Sequence, residues 1–126
     1  ILRAADKTGN KVSLVGVDGY LYECHHGWGQ LPAHLKWGET HGVAIDAQGY
    51  IYIKNNTGPS GLRHQDCIVV FDPDGKFVRS FGNEYSAFNI HTVGHGIDIR
   101  KEGDTEYLYL THTWANLVTK TTLKGE

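Results

Sequence analysis

Methionine is absent from the 126 residues, cysteine occurs twice and proline three times. No stretch approaches the run of about 20 apolar residues that a membrane-crossing helix needs, so no membrane span is expected. Positive charge is not in excess either: 12 Lys and Arg stand against 14 Asp and Glu, a net charge of -2. Phosphate backbones are held by clustered basic side chains on a basic chain, so nucleic-acid binding is not expected. Cys24 and Cys67 lack the CxxC spacing of a zinc ribbon or redox motif, and they read as small buried hydrophobes rather than a disulfide. No GxSxG, P-loop or dinucleotide fingerprint occurs, so serine-hydrolase chemistry and a nucleotide cofactor have no support. A charged start followed by an apolar run is also missing, which leaves the compartment open, secreted or periplasmic locations included. The lack of methionine leads us to expect a processed or truncated chain.

The composition that remains is 40% hydrophobic, 11% aromatic and 21% charged, with 16 glycines. That is the balance of one packed domain. No sustained 3.6-residue periodicity appears; short alternating runs punctuated by glycine indicate strands. Two units can be laid over each other. His41-Gly42-Val43-Ala44-Ile45-Asp46 corresponds to His95-Gly96-Ile97-Asp98-Ile99-Arg100, 54 positions later. Tyr50-Ile51-Tyr52-Ile53 corresponds to Tyr107-Leu108-Tyr109-Leu110, and the third run, 67–71, to 117–121. Asp72-Pro73-Asp74-Gly75 closes one unit and Thr122-Leu123-Lys124-Gly125 the other, as tight hairpin turns. A fourth strand, 76–81, completes the first unit only.

Four antiparallel strands in a repeat of about 40 to 55 residues mark a blade of a β-propeller. The expected fold is all-β, a partial propeller in a single domain. Residues 1–40 supply a hairpin or one outer strand, at 12–15 and 20–23, and an ordered loop around Trp28 and Trp37. Residues 41–82 form a complete blade, and 83–126 a linker and an incomplete one. Propellers hold about four to eight blades. The remaining blades are expected from the same, longer chain; the rival is a cyclic trimer of two-blade units.

Over 41–126 these motifs, with Ile68-Val69-Val70-Phe71-Asp72-Pro73-Asp74-Gly75 and Gly94-His95-Gly96-Ile97 foremost, resemble the NHL-repeat family of six-bladed β-propellers. Within it the chain is most similar to propellers related to peptidylglycine α-amidating lyase. That resemblance implies zinc held by three channel histidines, with His95 on one ligand position. It also implies a structural calcium held partly by backbone carbonyls, here those of Val43 and Ile97. The lyases carry a catalytic arginine just after the second strand of the preceding blade, where this chain reads Lys54-Asn55-Asn56. Lys54 or Arg63 offers a cation nearby, but neither matches the motif.

Each candidate has two readings. His95 is a zinc ligand or a residue that orders the channel through backbone hydrogen bonds. His41 shares its repeat position, though the resemblance assigns it no metal. His91 and His95 have the i, i+4 spacing that aligns ligands on a helix, which Gly94 argues against. His112 follows a strand, lining the channel or standing on an exposed turn. Asn55 is a candidate ligand-binding residue in the arginine's place. His25, His26 and His34 flank the tryptophan loop, where Trp28 and Trp37 pack onto the sheet. The expected function is a scaffold that binds a metal, a small ligand or a protein partner; the alternative is a zinc-dependent lyase acting on a peptidyl α-hydroxyglycine-like carbinolamide.

Overall fold

The computed structural model describes residues 13–25, 27–56, 65–86, 94–113 and 116–126. Among these residues nine strands run in order: β1 (Ser13–Val17), β2 (Tyr20–Cys24), β3 (Glu39–Ile45), β4 (Ile51–Asn56), β5 (Ile68–Phe71), β6 (Phe77–Phe81), β7 (Gly94–Glu102), β8 (Thr105–His112) and β9 (Leu117–Thr122). A single helical turn, α1 (Asn83–Ser86), follows β6. The fold is therefore all-β, and among the described residues that turn is the one α-helical piece. The strands form three antiparallel sheets: a hairpin β1-β2, a four-stranded meander β3-β4-β5-β6 and a three-stranded meander β7-β8-β9. The first run is thus a hairpin paired with itself, not an outer strand on β9's sheet. No helix among the described residues is long and apolar enough to cross a membrane.

Three turns share one design. In each, a side-chain oxygen takes two backbone N–H groups ahead of it: Asp46 Oδ1 accepts from Gln48 and Tyr50, Asp72 Oδ1 from Asp74 and Lys76, and Thr122 Oγ1 from Lys124 and Glu126. Each turn also has a glycine N–H donating back to the carbonyl of that first residue, at 3.0 to 3.1 Å. Gly49, Gly75 and Gly125 have φ of 86°, 82° and 92°. A Cβ is disfavoured there, so the turn selects glycine. The spacing D/T-x-x-G is how the sequence writes the turn.

Alternation then sorts the faces, because successive strand residues point to opposite sides. One face of β3–β6 presents Tyr50, Tyr52, Ile68 and Val70, which pack with Ile97, Ile99, Leu108, Leu110 and Leu123. The other face presents Ile53, Val69 and Phe71, covered by Leu31 and Leu35 of the loop between β2 and β3. As expected, Trp28 and Trp37 pack that loop onto the sheet: both lie against Phe71, with ring centroids at 5.7 and 6.2 Å. Covered on both sides, β5 is buried at every residue. Removing a fully buried leucine such as Leu108 costs about 2 to 5 kcal/mol.

Polar bonds fix how the two large sheets meet. The Ala47 N–H donates to the Glu106 carboxylate. Arg79 Nη2 donates to the Tyr52 hydroxyl at 2.9 Å and to the Leu123 carbonyl at 3.1 Å, while that hydroxyl donates to Asp46 Oδ2 at 3.0 Å. Burial and the Asp46 bond push the Tyr52 phenol up to about 12. The first strands of the two sheets, β3 and β7, touch directly: a Cβ on Gly42 would stand 2.6 Å from Ile97 Cγ2 and 3.3 Å from the His95 carbonyl oxygen.

Candidate functional site

Antiparallel pairing sends the start of β3 and the end of β4 to one end of their sheet, and the start of β7 and the end of β8 to one end of theirs. Glu39 pairs with Asn56, and Gly94 with His112. Strands β3 and β7 are both irregular there. The register of β3 on β4 shifts between Thr40 and Gly42, and that of β7 on β8 between Gly94 and Ile97. His41 occupies the first bulge and His95 the second. A bulge turns a side chain away from the pleat.

The consequence is a paired imidazole. His41 and His95 stack with ring centroids 4.8 Å apart and planes 19° apart. His41 Nε2 lies 3.7 Å from a carboxylate oxygen of Glu39, whose other role is to accept a bond from the Asn56 amide at 3.2 Å. The Gly96 N–H, next along β7, donates to Thr111 Oγ1 at 2.7 Å. His95 is thus held from behind by β8.

Next to the pair in register lies a buried polar group, with Lys54 opposite Gly42 and His112 opposite Gly94. Lys54 is fully buried, with Cys67 and His112 each almost so. Lys54 Nζ donates to the Thr111 carbonyl at 3.0 Å, crossing from one sheet to the other. Burial lowers Lys54 to about 8, opposed in part by Cys67. His112 falls to about 4, through burial first and the Lys54 charge second. Burial pushes the Cys67 thiol up to about 11; its Sγ lies 3.3 Å from the Gly82 carbonyl oxygen. Neither Cys24 nor Cys67 is in a disulfide.

Several sequence expectations change here. His112 does not stand on an exposed turn: it is the last residue of β8 and points into the sheet–sheet interface, in phase with Leu108 and Leu110. The second strand runs through Asn56, so Lys54, Asn55 and Asn56 lie within β4 rather than just after it. Lys54 is committed to a backbone carbonyl. Asn55 is buried and used on both sides of its amide: Oδ1 accepts from the Gly38 N–H at 2.8 Å and Nδ2 donates to the Lys36 carbonyl at 3.1 Å. It clamps the tryptophan loop. Val43 and Ile97 sit on the adjoining strands β3 and β7, opposite Ile53 and Leu110. His26, Arg63 and His91 lie outside the described residues.

The sequence reading passed over Thr111 and Glu39, and treated Lys54 as a free cation. Period-two counting from Tyr50 and Tyr52 puts Lys54 on the face that meets β7–β9. A catalytic zinc takes three protein ligands. Among the described residues no group of three or more His, Cys, Asp or Glu is placed to hold a metal ion. No protein-family model matches the chain, and no curated protein matches it.

Proposed function

We propose that the chain is part of an NHL-type six-bladed β-propeller scaffold and that the end where β3 and β7 begin binds a metal ion, a small ligand or a protein partner. No catalysis by these residues is part of this reading. The observation that carries it is the His41–His95 stack, in which equivalent strands of two repeated sheets each bulge to present an imidazole at one place. Bulges are over-represented beside functional sites. The equal turns and the contact of β3 with β7 support the repeat. Calorimetric titration with zinc, then calcium, tests the metal arm: His95→Ala and His41→Ala should each weaken zinc binding at least tenfold.

The alternative is a zinc-dependent lyase resembling the peptidylglycine α-amidating enzymes. The exposed imidazole of His95 beside a second histidine favours it; the burial of Lys54, the nearest cation in the arginine's region, disfavours it. Bound zinc would supply a Lewis acid there. Turnover of a peptidyl α-hydroxyglycine by the purified protein, lost in His95→Ala, would overturn the scaffold reading.

A further inference from the structure

The packing of one large sheet on the other has a direction. The tyrosine face of β3–β6, with Tyr50, Tyr52 and Lys54, meets the aliphatic face of β7–β9, with Ile97, Ile99, Leu108 and Leu110. Under the repeat, Tyr107, Tyr109 and Thr111 are the counterparts of Tyr50, Tyr52 and Lys54, and they line the opposite face of β7–β9. No other sheet lies on that face among the described residues. Its β9 residue Val118, paired with Thr111, is 61% exposed. Lys120 lies over the Tyr107 ring at 4.1 Å and bonds Glu102, and Arg100 pairs with Asp98 at 2.7 Å beside the two tyrosines, so the face carries paired charges along β7 and its aromatic and aliphatic surface on β8 and β9.

The matching aliphatic half is also open on this chain. Val43 and Ile45 are the counterparts of Ile97 and Ile99, and they are 61% and 63% exposed. The loop carrying Leu31 and Leu35 covers the β4–β6 part of that side, at Ile53, Val69, Phe71 and Phe77, and leaves these two β3 residues open. Both halves of an interface that the protein already builds once are therefore presented again, on opposite sides of one molecule.

We infer that the chain associates head to tail with a second copy of itself, the tyrosine face of β7–β9 in one copy covering the Val43–Ile45 edge of β3 in the next. This rests on the internal repeat, not on the proposed role of the histidine pair. The occupant is a second copy because this chain itself carries the complementary aliphatic strand, and the contact continues the interface already formed between its two sheets. Such a contact is heterologous, since different surfaces meet, and repetition closes a ring or extends a filament. Apolar strand surface of this kind is what drives association.

Sedimentation velocity on the full chain, from low micromolar to several hundred micromolar, tests it. The expected result is a species at a multiple of the 14.0 kDa chain mass whose population rises with concentration. Val118→Glu and Ile45→Lys, both at exposed positions, should each reduce it to monomer with unchanged circular dichroism. Mixing the two variants should restore a one-to-one dimer and nothing larger, because each supplies the face that the other has lost. Wild type that stays monomeric throughout would overturn the inference, leaving these faces to further sheets of one polypeptide. So would variants that assemble like wild type, or a mixture of the two that stays monomeric.

Discussion

His41 and His95 are 54 positions apart in sequence, yet their rings stack at 4.8 Å because two strands bulge at the same place in two repeated sheets. What allows the approach is Gly42: any larger residue puts a Cβ 2.6 Å from Ile97 Cγ2. Overpacking of this sort costs about 1 to 3 kcal/mol. Gly42→Ala should lower stability by that amount in urea denaturation. It should also shift the His95 ring-proton resonance as β3 and β7 part. An unchanged resonance would show that the stack does not depend on this contact.

Lys54 gives an alkaline signature. Its pKa is lowered to about 8 in the fold against an ordinary 10.5, so between those values the unfolded chain holds the extra proton and stability rises with pH. Cys67, raised to about 11, opposes this above its ordinary 9.0, and Tyr52, raised to about 12, opposes it above 10.0. Stability should climb from pH 8 to 9, level off, and fall above 10. Lys54→Met should remove the climb and leave the alkaline fall. A climb that survives the substitution would assign it to another group.

His112 gives the acid counterpart. With its pKa lowered to about 4 from 6.5, the folded protein keeps it neutral while the unfolded chain takes a proton. Stability should be lost as pH drops from 6.5 to 4, with a slope of at most about 1.4 kcal/mol per pH unit from this one group. His112→Leu should flatten that part of the profile. Urea midpoints taken at half-unit steps would show it.

Asn55 serves the loop, and its removal should be read there. Asn55→Ala leaves the part-buried Gly38 N–H without its amide partner and the Lys36 carbonyl with Gln65 Nε2 alone, at about 1 to 3 kcal/mol. Tryptophan emission from the loop should shift to the red, and the Gly38 amide should exchange faster. If zinc or calcium affinity fell instead, with loop emission unchanged, Asn55 would belong to a ligand site.

The tyrosine–carboxylate–guanidinium link can be measured as a unit. Tyr52→Phe and Arg79→Leu each break bonds between elements distant in sequence, and a double-mutant cycle should return a coupling of about 0.5 to 3 kcal/mol. Additive effects would mean that the two side chains stabilise the interface independently.

The strands and turns were legible in the sequence because local chemistry determines them. Alternation located β3 to β9, and the glycines and the proline that follow these runs marked the turns. The limits of β4 were not legible, since Lys54-Asn55-Asn56 has poor strand propensity and is held extended by burial between the loop and the second sheet. His112 was misplaced for a related reason: a histidine after Thr111 looks like a turn residue until β9 pairs with it. The nearness of His41 to His95 follows from the two sheets packing side by side, which no single strand encodes.

The three side-chain-clamped turns bear on how the chain reaches this structure. Two of them, at Asp46 and Asp72, fix a hairpin through bonds spanning at most four residues, so the registers of β3 on β4 and β5 on β6 can be set before distant parts meet. A one-residue slip would turn Tyr52 and Val70 out of the core and break the clamp at the same time. Two local closures are thereby available early, and the longer search is for the pairing of β4 with β5 and the docking of one sheet on the other.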